Sequence, residues 1–112
     1  MPDPAHIRDL GRYGEHIASS FLSDRGCATV TANARSDGGE LDLIIRDGTH
    51  FVAVEVKTTA DGSDPVDAVD DRKMGLVGRT ASALAYPISR VDIVAIRLTE
   101  PGLEIRWLRG PD

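Results

Sequence analysis

Glu40-Leu41-Asp42-Leu43-Ile44-Ile45-Arg46, the turn Asp47-Gly48-Thr49-His50, and Phe51-Val52-Ala53-Val54-Glu55-Val56-Lys57 form the stretch whose reading decides the fold. Branched and aliphatic residues dominate both flanks, which predicts two β-strands. Asp47-Gly48 is a hairpin signal, because glycine tolerates the positive φ that tight hairpin turns demand. Side chains alternate along a strand. Val52, Val54 and Val56 therefore share one face, while Phe51, Ala53, Glu55 and Lys57 share the other. Charges interrupt a face that a buried strand would fill with apolar groups.

The hairpin register sets how closely those charges approach. With a four-residue loop, Arg46 pairs with Phe51 and Asp42 stands opposite Glu55. With a two-residue loop, Arg46 pairs with Thr49, Glu40 stands opposite Glu55, and Asp42 is a diagonal neighbour. Either register predicts Glu40, Asp42, Glu55 and Lys57 on one face. Opposed side chains lie about 5 Å apart and diagonal ones about 7–8 Å. Carboxylates that close repel and call for a cation. A hard divalent ion such as Mg²⁺, which prefers oxygen donors, fits. Lys57 offsets part of the charge and suits contact with an anionic substrate.

Outward from the hairpin, Asp9 is the expected N-cap of a helix over Leu10 to Arg25, with Gly26 as its stop. Leu10, Tyr13, Ile17, Ala18, Phe21 and Leu22 give it an apolar stripe. Glu15 sits at the border of that stripe, where it either reaches a site on the sheet or complements the helix dipole. Cys27 to Asn33 reads as a first strand and Ala34 to Gly39 as a mobile turn. Thr58 to Pro65 is loop by composition, and Pro65 to Val69 a short helical turn. A second helix is expected over Asp71 to Tyr86, with Met74, Val77, Ala81 and Leu84 or Ala85 on one side and Pro87 ending it. Arg90 to Leu98 and Leu103 to Leu108 complete the strands. Return through the second helix predicts a parallel neighbour for the third strand, hence a mixed β-sheet flanked by helices in an α/β domain.

With 112 residues, one domain and one core are expected, with residues 1–8 as a loose arm and 109–112 as a tail. Apolar content of 41% and charged content of 28% are those of an ordinary globular chain. A single cysteine excludes an internal disulfide and a Cys-rich zinc site, and Cys27 reads as a buried residue. His6, His16 and His50 have no zinc-ligand spacing. Neither a secretory signal nor a bilayer-length apolar run is visible, so cytoplasm is the expected location and no membrane partner is expected. A net charge of −5 argues against a dedicated, sequence-independent nucleic-acid binder, whose affinity comes from phosphate neutralisation. It says little against transient cleavage by carboxylates that carry metal.

The order helix, three strands, helix, strand, with an acid on the second strand and Glu55-x-Lys57 on the third, resembles the restriction-endonuclease-like PD-(D/E)-x-K superfamily. More closely, Gly11-Arg12-Tyr13-Gly14-Glu15, Asn33-Ala34-Arg35, Gly39-Glu40-Leu41-Asp42-Leu43-Ile44 and Val54-Glu55-Val56-Lys57 resemble the YraN-like family of predicted endonucleases. The similarity runs from about Leu10 to Leu98. Glu-x-Lys alone is common by chance; joined to Gly-Glu-Leu-Asp-Leu-Ile at this spacing it is specific. The resemblance implies a Mg²⁺- or Mn²⁺-dependent nuclease acting on nucleic acid, with DNA the expected substrate and the choice between DNA and RNA left open. It assigns metal binding to Asp42 and Glu55, joined by the Val56 carbonyl. It gives Lys57 the attacking water or the phosphate and Glu15 a supplementary acid, with Glu40 in support. Arg35, Lys73 and Arg90 are candidate phosphate contacts. Two departures stand out. Leu41 replaces the proline that names the superfamily motif. Thr59 stands where relatives often carry an arginine two residues after the motif lysine.

Two other readings compete: a nucleic-acid-processing or binding module on the same fold without catalysis, and a purely structural salt-bridge cluster. Buried ion pairs often fail to recover their desolvation cost, which counts against the last. Oligomeric state is left open, a homodimer included.

Overall fold

The computed structural model describes residues 7–36, 39–69, 71–84, 86–99 and 102–111, the side chains of 7–9, 36, 71–73 and 76 excepted. Their order is α1 (Ile7–Asp24), β1 (Ala28–Ser36), β2 (Gly39–Asp47), β3 (His50–Thr59), a 3₁₀ turn (Pro65–Ala68), α2 (Asp71–Ser82), β4 (Ile88–Leu98) and β5 (Leu103–Leu108). The strands form one mixed sheet in the order β1-β2-β3-β4-β5. All neighbours are antiparallel except β3 and β4, which run parallel through the α2 crossover, as the sequence predicts.

Each helix covers one face. Ala18 and Leu22 of α1 pack with Leu43, Ile45, Val52, Val54, Val56, Val94 and Ile96. Val77 and Ala81 of α2 pack with Leu41, Ile44 and Ala53. The valine face of β3 is thus the α1 face, and the face carrying Glu55 and Lys57 is the α2 face. Phe21 of α1 meets Trp107 edge-on at 6.5 Å, which ties the helix to β5.

Several boundaries differ from expectation for local reasons. Helix α1 is already formed at Ile7, so Asp9 lies in its first turn rather than at its N-cap; the rest of the expected arm lies outside the described residues. The far end of α1 agrees with the sequence. Gly26 has φ +89°, Cys27 N–H donates to Leu22 C=O at 3.0 Å, and Gly26 N–H donates to Ser23 C=O at 3.0 Å. That is a Schellman ending, sealed by the burial of both Cys27 and Leu22. The expected mobile turn over 34–39 is strand on both sides, with Ala34↔Leu41, Arg35↔Glu40 and Ser36↔Gly39 paired. Helix α2 stops at Ser82, four residues before Tyr86. Ala83 and Leu84 N–H turn back onto Thr80 and Ala81 carbonyls, and Tyr86 leaves to pack on Phe51 at 5.4 Å. Ala85 lies outside the described residues. The expected tail is anchored as far as Gly110, whose N–H donates to Asp92 Oδ1 at 2.9 Å.

Candidate active site

The hairpin takes the register in which Arg46 pairs with Phe51, and pairing continues to Asp47↔His50. Only Gly48 and Thr49 remain in the loop, with Gly48 at φ +63°. Continued one step past its last pair, Leu43↔Val54, that register would set Asp42 opposite Glu55. Ladder pairing stops at Leu43↔Val54. Beyond it, β2 stays with β1, and Asp42 Oδ2 accepts the Val56 N–H at 2.8 Å. A side chain takes the hydrogen bond that the backbone of β2 no longer supplies, fixing the Asp42 carboxylate in the opening between the strands. Glu55 is buried at 4% exposure, and Lys57, two residues on, is half-buried.

Strand alternation is broken at this point. Leu43 faces α1, yet Leu41, two residues earlier, is packed with the α2 cluster. The cause lies on β1, where Asn33 adopts φ +55° between the pairs Ala32↔Leu43 and Ala34↔Leu41. Asparagine is among the few residues that accept this conformation. The break corrects the expectation that Glu40 shares a face with Glu55 and Lys57. Glu40 instead lies on the α1 side beside Glu15. With its amide nitrogen turned toward the acids, Asn33 donates to Glu40 Oε1 at 2.9 Å and to Glu15 Oε1 at 3.2 Å.

Glu15 reaches the sheet because α1 approaches β3 closely. A Cβ at Gly14 would overlap Thr58 Oγ1, so only glycine permits this approach. Burial raises the Glu15 pKa above its ordinary value, the negative charges of Asp42 and Glu40 raise it further, and the Asn33 hydrogen bond opposes them. Glu15, Glu40 and Asp42 thus form one electrostatic cluster.

The cationic candidates separate. Arg35 is 81% exposed and pairs with Glu40, Nε to Oε2 at 3.2 Å, at the rim of the cluster. The Lys73 side chain lies outside the described residues. Arg90 is no surface contact: its side chain is 7% exposed, bonding Asp92 through Nε at 3.0 Å and Asp47 through Nη2 at 2.8 Å. Asp92, fully buried, also accepts the Trp107 indole N–H at 2.9 Å and the Gly110 N–H. Sequence reasoning missed Asp92. Its signal was an acid inside the apolar run of β4, with an arginine two positions earlier on the same face.

Asp42 and Glu55 carboxylates and the Val56 carbonyl are all hard oxygen donors. Mg²⁺ is commonly held by only one or two carboxylates plus waters and substrate phosphates, so this donor set fits such an ion. Among the described residues, no group of three or more His, Cys, Asp or Glu side chains is arranged to hold a metal by itself. Nor, among them, is any helix long and apolar enough to cross a membrane.

A mixed sheet covered by α1 and α2, with Glu15, Glu40 and Asp42 gathered where β2 leaves β3, defines a small α/β domain with an acidic site at one sheet end. Residues 14–96 match the uncharacterised protein family UPF0102, and the chain belongs to that family. It is 38% identical over 112 residues to a UPF0102 protein of Paenarthrobacter aurescens strain TC1, covering 90% of this chain and 91% of that one. It is 37% identical over 111 residues to a UPF0102 protein of Solibacter usitatus strain Ellin6076, covering 89% and 83%. A UPF0102 protein of Marinobacter nauticus strain ATCC 700491 is 32% identical over 115 residues, covering 92% and 91%. UPF0102 is the YraN-like family that the motifs resemble.

Proposed function

We propose that this protein is a Mg²⁺- or Mn²⁺-dependent nuclease of the restriction-endonuclease-like kind that hydrolyses phosphodiester bonds, with DNA as its substrate. The observation that carries the reading is the Asp42 carboxylate held by the Val56 N–H, next to Glu55 in the chain, at the point where β2 leaves β3. A divalent ion bound by Asp42, Glu55 and the Val56 carbonyl would supply Lewis acidity toward a phosphoryl oxygen and a water more acidic than bulk. The protein's own groups account for the rest. The Val56 N–H fixes the direction of one carboxylate. Burial keeps Glu55 from being screened by solvent. Lys57, on the α2 face two residues from Glu55, sits where an ammonium can hold a phosphate or orient water. Its positive charge makes it a poor metal ligand. Glu15 adds negative charge from the α1 side.

The test is purified protein on branched, flapped, single-stranded and duplex DNA and on RNA, with Mg²⁺ or Mn²⁺. Glu55→Ala is expected to lose both cleavage and metal binding, and Lys57→Ala to keep metal binding while losing most of the single-turnover rate. Cleavage unchanged in both variants would overturn the reading. Nucleic-acid binding with no turnover on any substrate would favour a processing or binding module on the same fold instead.

A further inference from the structure

Beyond the acids and Lys57, the α2 face of the sheet carries Arg97, Glu104 and Arg106, charges that the proposed chemistry does not use. Lys57 pairs in register with Ala95, and Ala95 with Arg106, so the three stand in one row across β3, β4 and β5. The next row is Thr59, Arg97 and Glu104. Both rows lie on the α2 face, because Val94, Ile96 and Ile105 between them belong to the α1 side. Ala95 contributes only a methyl group, which leaves the ground between Lys57 and Arg106 low.

Arg97 and Arg106 line an open pocket of about 550 Å³ with Asp64, Glu104 and Ile105. Two features of it concern a ligand. Arg97 Nε is buried yet has no hydrogen-bond partner, although a buried donor without an acceptor costs about 1–3 kcal/mol. Asp64 occupies the same ground: it forms a close ion pair with Arg106 Nη2 and reaches Arg97 Nη2 at 3.8 Å. Glu104 Oε1 lies 3.5 Å from Arg97 Nη1. The carboxylate of Asp64 thus marks where an anion sits between two guanidinium groups. It is carried by an ordered loop, in which Thr59 Oγ1 donates to Ser63 C=O at 2.7 Å and Asp64 caps the 3₁₀ turn through the Val66 N–H at 3.0 Å.

We infer that the Arg97–Arg106 pocket is a phosphate subsite that receives a backbone phosphate of a nucleic-acid strand whose neighbouring phosphate lies at Lys57. Guanidinium forks match phosphate oxygens in pairs where a point charge cannot. Two strand spacings separate Lys57 from Arg106, about 10 Å across the sheet, so a short run of extended backbone bridges them. Asp64 holds the two arginines in place while the pocket is empty and yields to a phosphate, which offers more oxygens and more charge. The inference rests on the nuclease reading for the identity of the strand, and its readout is binding rather than turnover.

The experiment is fluorescence anisotropy of a labelled single-stranded DNA oligonucleotide with the full chain in EDTA, across a series of salt concentrations. Arg97→Gln and Arg106→Gln are each expected to weaken binding about five- to tenfold and to lower the log–log salt slope by about 0.7, the loss of one phosphate contact on a single strand. Arg46→Gln, the same charge change at an exposed residue of β2, is expected to leave both nearly unchanged. Asp64→Asn keeps a competent cap and removes the competing charge, so binding should tighten. Equal effects of Arg46→Gln and Arg97→Gln would reduce the pocket to general charge and overturn the subsite. So would inorganic phosphate competing as well, per phosphate, as unlabelled oligonucleotide. Arg97-dependent binding in a protein that cleaves nothing would sink the nuclease reading and leave the subsite standing. Glu55-dependent cleavage with wild-type binding in Arg97→Gln would do the reverse.

Discussion

The two ends of the sheet use buried charge in opposite ways. At the hairpin end, Asp92 accepts from Arg90, from the Trp107 indole and from the Gly110 backbone, while Arg90 also reaches Asp47. Every one of those contacts joins opposite charges or a donor to an acceptor, and the network fastens β5 and the segment after it to β4. At the other end, Glu15, Glu40 and Asp42 bring like charges together, and Glu15 responds by holding its proton more tightly. The acids there are bonded too, Glu40 to Arg35 at the rim and Asp42 to the Val56 N–H, but three carboxylates share one cluster. The contrast supports reading the acidic end as built for an ion or a substrate.

The largest expected effect breaks the paired end. Arg90→Ala leaves Asp92 buried without its cation and should cost about 3–5 kcal/mol in urea denaturation. A double replacement, Arg90→Met with Asp92→Leu, should recover part of the loss. The recovery stays partial because the Trp107 and Gly110 N–H groups then lack an acceptor. A loss below about 1 kcal/mol for Arg90→Ala would mean that the two ends differ less than their geometry indicates.

A smaller effect tests how the acidic end is shaped. Gly14→Ala pushes a methyl group into Thr58 Oγ1, and overpacking of this kind costs about 1–3 kcal/mol. Thr58→Ala should relieve most of it, giving a clear coupling energy in a double-mutant cycle. Gly14→Ala should also lower cleavage beyond its effect on folding, since it moves Glu15 away from Asp42.

The fold was legible because its signals are local. Alternation on β2 and β3, Gly48 in the turn and Gly26 after α1 each depend on residues within a few positions. The Arg46↔Phe51 register was one of the two that the sequence left open. What could not be read was non-local. The left-handed Asn33 on β1 decides which face Glu40 takes on β2, and nothing in the spacing of Glu40 and Asp42 reveals it. Arg90 looked like a surface cation, although Asp92 lies only two residues on, because the groups that bury the pair, Asp47, Trp107 and Gly110, are distant in sequence. Thr59 looked like a lost cation, whereas its register partner on β4 is Arg97.

A third prediction compares charge removal at the acidic end with that at the paired end. Asp42→Asn relieves repulsion but weakens the bond that fixes it to Val56, so apo stability should change by less than about 1 kcal/mol. Mg²⁺ should raise the melting temperature of the wild type, by an amount equivalent to about 2.7 kcal/mol at a hundredfold excess over Kd. Asp42→Asn should show a much smaller shift. Equal shifts in the two proteins would remove Asp42 from the ligand set.

The smallest effect is a pair of pH slopes of opposite sign. Glu15 has its folded pKa above the ordinary 4.5, chiefly through burial and then through Asp42 and Glu40. The native state therefore binds the proton more tightly than the unfolded chain. This group favours folding below 4.5, and the contribution is lost as pH rises through the folded value. Asp47 has its pKa below the ordinary 3.8, first through the Arg90 hydrogen bond. Its contribution is present above 3.8 and is lost as pH falls through the folded value. The two windows lie on either side of about pH 4, so variants can separate them. Glu15→Gln should flatten the fall in stability just above pH 4.5 and leave the acid limb unchanged. Asp47→Asn should reduce stability at neutral pH and flatten the acid limb. Chemical denaturation at half-unit pH steps reads both. A Glu15→Gln protein whose stability falls as the wild type's does between pH 4.5 and neutrality would show that Glu15 does not feel the acids across the opening.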